Sequence, residues 1–569
     1  MDMEKFRQEV LKALKKELKN VKAEIKLDSP PNPEMGDFAF PCFALSKELK
    51  KDPKQIAEEL AKKITLTKHI KKVEVQGPFL NFFINKTALA EQILPKIEEE
   101  KGKYGQPEKP AKKEVMVEYC GPNANKPLHL GHLRNIFLGE SISRIFEFEG
   151  NKVVRANLVN DRGIHICKSM YAYQKWGKNK EPEKKSDHFV GDFYVLFAKK
   201  EKESDKYEKE AKDMLKKWES KDPETIKLWE KMRKWVLEGF NETYKKLGIK
   251  FDKEYYESNT WDYGKNIVME GLKKGVFKKD ETGAVLVELE KHGLPNKVLL
   301  RSDKTSVYMT QDLYLAQVKF EDFPKLSKSV YVVASEQDNH FRQLFKILEL
   351  MKFKHAKKLH HMSYGLVNLP EGKMKSREGT VVDADDLIEE MITLAKKEIK
   401  SRHKELDSEE IQKRAEQIGI GALRFFILKI DPVRDMVYNP KESISFEGET
   451  GPYVQYAHAR CCSMLKKSPI KTITKVDFSL LKHEKEIALV SLLSQFTGAI
   501  TGSASHYKPS IIARYLLDVS KSFSEFYSAC PVIQDDENLL KARLLVVDCV
   551  RQVLKNGLSL LGIEAPEAM

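Results

Sequence analysis

Hydrophobic and polar positions change period several times along the chain, and each change predicts a different kind of element. Residues 1–19 place apolar side chains every three or four positions among lysines and glutamates, which predicts an amphipathic helix. A Pro-rich turn at 29–33 and more helix lead to two apolar runs, 73–75 and 79–84, that predict a strand pair. The lysine-rich, proline-containing stretch 101–113 reads as a linker. Residues 114–175 then alternate strand, helix and strand: VMVEYC, a helix over 133–149 closed by Gly150, and KVVRANLV. A helix returning between parallel strands is the repeating unit of a doubly wound sheet. Residues 178–250 are dense in Lys and Glu around Trp218, Trp229 and Trp235, predicting a helical insertion with a solvated charged face. The α/β pattern resumes with AVLVEL (284–289), KVLLRS (297–302) and SVYVVAS (329–335), so the insertion divides one α/β unit into two halves. From 411 onward the period is helical. These changes divide the chain into 1–110, 111–410 and 411–569.

A chain of 569 residues is long enough for several domains with their own cores, and 41% hydrophobic with 32% charged content describes a folded protein. No apolar run approaches the roughly 18 residues of a membrane span, and the mixed-charge N-terminus is not a secretory leader, so no membrane partner is expected. The net charge of +14 brings polyanionic partners, nucleic acid among them, into view. Seven cysteines include no C-x-x-C pair, which predicts neither a disulfide framework nor zinc and suits a reducing cytoplasm. Adjacent Cys461 and Cys462 are expected simply to pack.

Candidate chemistry concentrates in PNANKPLHLGH, that is Pro122, Asn123, Ala124, Asn125, Lys126, Pro127, Leu128, His129, Leu130, Gly131 and His132. This stretch joins a strand-like run to a helix-like run. His129 and His132, three apart, share a face at the first helical turn, where free N–H groups and the helix dipole favour phosphate. Gly131 lets a ligand approach the backbone. Farther on lies GKMKSREGTVV at 372–382, a cationic loop with glycines at both ends and Lys373, Lys375 and Arg377 between them. Such a loop can close over a triphosphate and stabilise charge on departing pyrophosphate.

The pair resembles the HIGH and KMSKS signatures of class I aminoacyl-tRNA synthetases. VEYCGPNANKPLHLGHLRN, GALRFFIL (421–428), GPYVQYAHAR (451–460) and the terminal LGIEAPEAM closely resemble the arginyl-tRNA synthetases, and the likeness runs from GDFAFPCFALSK (36–47) to the C-terminus. The resemblance implies a multidomain α/β + α fold: a Rossmann-type doubly wound catalytic domain, an N-terminal α+β tRNA-binding domain and a C-terminal all-α anticodon-binding domain. It implies activation of L-arginine by ATP, with Mg2+ carried on the nucleotide, then transfer from arginyl-adenylate to tRNA(Arg), by a monomer that needs bound tRNA for the first step. One departure is that the second signature runs Lys373-Met374-Lys375-Ser376-Arg377, without a final lysine. In the family a lysine ahead of the first signature takes over, and Lys126 holds that place; a share for Lys375 stays open.

The resemblance puts His129, Gly131, His132, Lys373, Met374, Lys375 and Ser376 at ATP, with Lys126, His129, His132, Lys373 and Lys375 as the catalytic set. Reading a guanidinium calls for carboxylates that accept its planar fork of donors. Tyr308 and Asp312, four apart, share a helix face; the family sets them against the arginine side chain with Glu118. His129, Asn123 and Gln337 complete the arginine positions, the last two near the α-amino group, and Glu257 is a weaker member. For tRNA, Phe79 and Asn81 fall where the family meets a D-loop nucleotide. Tyr453, Tyr456, His458, Arg460, Tyr507, Tyr515 and Met569 are candidates in the anticodon-binding part. The histidines have no third ligand spaced for zinc. Two alternatives stand beside this reading: a class I ligase for another amino acid of the glutamine or glutamate type, and a catalytically inactive tRNA-binding paralogue.

Overall fold

The computed structural model describes residues 2–19, 21–28, 30, 32–305, 307–369, 372–373, 382–403, 405–439, 445, 448–470 and 472–569. Its N-terminal part packs helices α1 (Asp2–Glu17), α2 (Phe43–Leu49) and α3 (Pro53–Lys63) around a small antiparallel sheet. That sheet holds β1 (Phe38–Pro41), β2 (Ile70–Gln76) and β3 (Phe79–Ile84) in the order β1-β3-β2. Leu80, Phe82 and Ile84 alternate into the core, as a half-buried strand requires. The short edge strand β1, which ends in Pro41, was not anticipated from the sequence.

Helix α4 (Lys86–Glu100) leads to the main sheet, built from β4 (Glu114–Glu118), β5 (Lys152–Val159), β6 (Lys253–Tyr256), β10 (Leu326–Ala334) and β11 (Leu359–Tyr364). All four pairings are parallel, and the order β11-β10-β4-β5-β6 is that of a doubly wound nucleotide fold. The order reverses between β4 and β10. Helix α5 (Leu130–Phe148) follows β4 and lies so close beneath it that a Cβ on Gly139 would fall 2.3 Å from the Tyr119 ring. Helices α6 (Ile164–Trp176), α7 (Ser186–Lys200), α8 (Lys206–Glu219) and α9 (Pro223–Lys246) fill the gap before β6, the last three forming the charged insertion.

After β6 come α10 (Glu257–Thr260), α11 (Gly264–Lys273), β7 (Lys278–Lys279), β8 (Val285–Val287), β9 (Lys297–Leu300) and α12 (Tyr308–Asp322). Here one expectation is corrected: AVLVEL and KVLLRS do not extend the parallel sheet but pair antiparallel in a separate sheet, β7-β8-β9. Apolar runs this short carry no signal of which sheet they join. Helix α13 (Asp338–Leu350) separates β10 from β11, and β12 (Val367–Leu369) pairs with β13 (Gly372–Lys373) and β14 (Met436–Val437). Helices α14 (Ala384–Arg402) and α15 (Ser408–Leu428) lead into the C-terminal helices Gly451–Lys467, Glu484–Leu493, Phe496–His506, Pro509–Ala529 and Glu537–Leu560.

The last of these helices reaches back to the others. Ser141 on α5 donates to the Leu560 carbonyl at 3.0 Å, and Asn556 donates to the Lys101 carbonyl at 2.9 Å. The stretch Glu484–His506, 23 residues with mean hydropathy 1.4, is long and apolar enough to cross a membrane. It reaches that value by mixing small residues with Leu, Val and Ile rather than through one apolar run. In the fold it is broken into two helices at Ser494 and Gln495, and half of the window is buried against the rest of the protein.

Candidate active site

The chain leaves β4 through a tight turn in which Cys120 and Gly121 both have positive φ, 80° and 61°. Glycine accepts this freely and cysteine does not, so the turn must be held from outside. Asn135 of α5 holds it. Its side-chain oxygen accepts from the Cys120 N–H, and its amide donates to the Val332 carbonyl of β10 at 2.7 Å and to the Tyr364 hydroxyl at 3.0 Å. One side chain thus ties together β4, β10 and the end of β11. Above it, at the carboxyl ends of β4 and β10, opens a cavity of about 730 Å3. This is the crevice where open α/β sheets bind ligands.

Eight of the expected residues line it: Glu118, Asn123, His129, Gly131, His132, Tyr308, Asp312 and Gln337. At the nucleotide end His129 caps α5, and its Nδ1 accepts from the Gly131 N–H at 3.1 Å. His132 Nδ1 accepts from the His129 N–H, also at 3.1 Å, and the rings lie 3.9 Å apart. The N–H groups expected to be free for phosphate are therefore partly taken by imidazoles. Burial, reinforced by the Lys126 ammonium, pushes His129 down to about 3. Burial, then His129 and Lys126, hold His132 well below the usual range. Both rings are neutral at pH 7. Because each Nδ1 accepts, each Nε2 carries the proton and is a donor for phosphate oxygen.

At the opposite end Glu118 closes β4 and Asp312 projects from the first turns of α12. Asp312 meets His340 at 2.6 Å, and Glu118 meets the fully buried Lys319 at 2.7 Å. Tyr308, 75% exposed, is an open wall of the cavity rather than part of a core pair. Gln337 sits on the short turn ahead of α13. Glu257 stands apart from these eight: it is buried at the start of α10 and is absent from the lining. Burial raises its carboxyl to about 7, with Arg162 opposing. Sequence reasoning missed Asn135, His340, Tyr331 and Lys319. The last two were open to discovery by spacing, since Lys319 lies seven residues after Asp312 on one helix face and Tyr331 sits within SVYVVAS.

The second signature loop is described at its feet. At its start β13, containing Lys373, pairs with β12, while Met374, Lys375, Ser376 and Arg377 lie outside the described residues. At its end the backbone clasps the first signature: Leu130 N–H donates to the Val382 carbonyl and Ala384 N–H to the Leu128 carbonyl, each at 3.0 Å. Lys126 stands beside the cavity, near enough to depress both imidazoles. Helix α7 backs it, with Gly191 against Pro127. Below, Asp187, His188 and Asp385 cluster as a metal site would, but the Lys185 ammonium already occupies the group, 2.9 Å from Asp187 and 2.7 Å from Asp385.

Comparison with known proteins identifies the family. The family described as tRNA synthetases class I (R), catalytic domain, matches residues 93–439. The arginyl tRNA synthetase N terminal domain matches 4–84 and the DALR anticodon binding domain 454–569. The chain belongs to the class I arginyl-tRNA synthetases. An arginine–tRNA ligase of Treponema denticola is 46% identical over 96% of this chain and 95% of its own. One from Treponema pallidum is 43% identical over 96% and 95%. The structure of Thermus thermophilus arginyl-tRNA synthetase superposes with a TM-score of 0.81 at 28% identity, covering 99% of this chain and all of that one.

As a synthetase, the chain carries its tRNA candidates in contrasting settings. Phe79 is half-buried, edge-on to Phe43 at 5.4 Å, and Asn81 is buried with its amide donated to Gln76. A second cleft in the C-terminal helices brings together Tyr456, Arg460, Tyr527 and Met569, with the Arg460 guanidinium over both tyrosine rings at 4.9 and 4.8 Å. Tyr453 is half-buried and bonded to Ser524. Tyr515 and His458 are set in the interior. Tyr515 is core, its hydroxyl on the Leu492 carbonyl at 3.1 Å, and buried His458 meets the Pro566 carbonyl at 2.9 Å. Tyr507 stacks on His360 at 4.0 Å and accepts from Lys328, which makes it a contact between domains. Aromatic residues at helical spacing satisfy a core as readily as a nucleotide, and here packing claimed them.

Proposed function

We propose that this synthetase holds arginine with its guanidinium between Glu118 and Asp312, its side chain along Tyr308 and its α-amino group near Asn123 and Gln337. ATP lies over His129, Gly131 and His132. The observation that carries this is the meeting, in one cavity at the sheet's reversal point, of two carboxylates at one end and two neutral imidazole donors at the other. Activation then needs little side-chain chemistry. The arginine carboxylate attacks the α-phosphorus, pyrophosphate leaves, and the enzyme contributes alignment and fixed dipoles. The two Nε2–H donors meet phosphate oxygens without bringing charge, and Lys126 stands in for the final lysine that the second signature lacks. Lys373, Met374, Lys375 and Ser376 belong to the loop that covers the nucleotide. Mg2+ enters as part of the nucleotide substrate. Arginyl-adenylate then passes its acyl group to the terminal ribose of tRNA(Arg).

The C-terminal cleft at Tyr456 and Met569, and Phe79 with Asn81 at the other end, are the proposed tRNA contacts, within the division 1–110, 111–410 and 411–569. The enzyme is read as a cytoplasmic monomer. The test is ATP–pyrophosphate exchange with tRNA present: exchange with arginine, and none with lysine or glutamine, is expected. Equal exchange with glutamine overturns the substrate assignment, and no exchange with any amino acid favours an inactive tRNA-binding relative. Lys126→Ala should lower the exchange rate far more than it raises the KM for arginine.

A further inference from the structure

The guanidinium end of the cavity is built on a buried cation. Lys319 follows Asp312 by two turns of α12, so both point the same way, but Lys319 lies deeper and is wholly removed from solvent. Its Nζ is 2.7 Å from Glu118 Oε2 and 3.8 Å from the centre of the Tyr331 ring. Taking an ammonium out of water is costly, and such a group persists where an opposite charge and a π-face compensate it. Burial pulls its proton affinity down and Glu118 opposes this. Asp312 has its own partner, since its Oδ2 lies 2.6 Å from His340 Nε2. Each carboxylate therefore has one oxygen taken and one left.

We propose that Lys319 is a positioning and charge-compensating residue for substrate arginine: its ammonium pairs with Glu118 Oε2 and orients the carboxylate so that Oε1 faces the guanidinium. This deepens the assignment of Glu118 to the substrate side chain and rests on it. The groups that face Glu118 are Lys319 and Asp312 from α12, Tyr331 from β10 and Tyr255 from β6, with His340 of α13 behind Asp312. Lys319 offsets one of the two carboxylate charges of Glu118 and Asp312, and the other is matched by one guanidinium. Without Lys319, two carboxylates share a partly dry site with no buried cation, and one of them holds its proton to higher pH. A protonated carboxyl presents a poorer acceptor to the planar fork of donors.

The experiment measures the KM for arginine and for ATP in tRNA-dependent exchange across about pH 6 to 9 for wild type, Glu118→Gln, Lys319→Met, Lys319→Arg and the Glu118→Gln/Lys319→Met double variant. Glu118→Gln should raise the arginine KM about tenfold or more. Lys319→Met should do the same, with the KM falling as pH rises, while the ATP KM stays within about threefold of wild type. Lys319→Arg should restore most of the affinity, and the double variant should be no worse than Glu118→Gln alone. If Glu118→Gln leaves the arginine KM unchanged, the assignment of Glu118 is wrong. If Glu118→Gln raises it and Lys319→Met does not, Lys319 is merely structural and the inference is overturned. Should Lys319→Met fail to fold, Lys319→Gln replaces it, because its amide can bond Glu118 without charge. A raised, pH-dependent KM then supports the inference, and an unchanged one overturns it.

Discussion

Replacing Gly191 by alanine adds one methyl group to α7 where that helix crosses residues 126 and 127. The new Cβ would lie 2.7 Å from Pro127 Cδ and 3.6 Å from Lys126 Cα, whereas carbon atoms rest about 3.5–4.0 Å apart. About 1 Å of movement is needed, and a proline ring cannot fold away to provide it. Helix α7 cannot easily retreat. Lys185 ties its start to Asp187, Asp385 and Thr243, Ser186 bonds the Trp235 carbonyl at 2.6 Å, and His188 meets Asp385 at 3.0 Å. The segment carrying Lys126 is the side that yields. Overpacking of this kind costs about 1–3 kcal/mol, against about 0.5–1 kcal/mol that alanine gains over glycine in a helix. A misplacement near 1 Å at a catalytic charge lowers rate by up to about a hundredfold. Gly191→Ala should therefore drop the rate of arginine activation about ten- to a hundredfold, with the arginine KM little changed and the melting temperature slightly lowered. Steady-state exchange kinetics and a thermal melt provide both readings. A wild-type rate with an unchanged or raised melting temperature would refute the reasoning, because α7 would then not be braced against Lys126.

Three further outcomes follow from buried groups. Glu257, raised to about 7 from its ordinary 4.5, is stabilising while protonated and loses that contribution as pH climbs through 7. Glu257→Gln should then be more stable than wild type near pH 8 by up to about 3 kcal/mol and no more stable near pH 5, as denaturant titration would show. His129 has the opposite sign: held down to about 3, it contributes stability above about 6.5 and loses it as pH falls, because the unfolded chain takes up the proton first. Stability should fall by about 1.4 kcal/mol per pH unit per imidazole on acidification, and His129→Asn should flatten that slope. Tyr515→Phe should cost about 1 kcal/mol by removing the bond to the Leu492 carbonyl, with the KM for tRNA unchanged.

The sequence made the reaction centre legible wherever chemistry fixes residue type and spacing together. Helical spacing set His129 with His132, and Tyr308 with Asp312, on shared faces, while their substrate roles came from the family resemblance. Glu118 was readable as a strand end. The supporting contacts were not readable, because they join residues far apart in the chain. Asn135 matters through β10 and Tyr364, which no local period records; spacing could place Lys319 on the face of Asp312, but not against Glu118. The burial of Glu257 and Tyr515 was not readable for a related reason, since a carboxylate or phenol in a familiar place looks the same whether it faces ligand or core. The strands at 285–287 and 297–300 were found, but their sheet was not, because register and partner are set by tertiary contacts.

The order of strands in the main sheet also bears on how the protein is made. The central strand β4 pairs on one edge with β5, which follows it closely, and on the other with β10, which begins only at Leu326. During synthesis the β4–β5–β6 half can assemble early, but one edge of β4 stays unpaired until β10 has left the ribosome. The clasp on His129 waits longer, for Val382 and Ala384, and the brace on α5 waits for Leu560. The signature histidines are thus made in the first quarter of the chain and secured by its last helix. A prematurely terminated chain would carry the signature residues without the contacts that hold them, and would have little capacity to spend ATP.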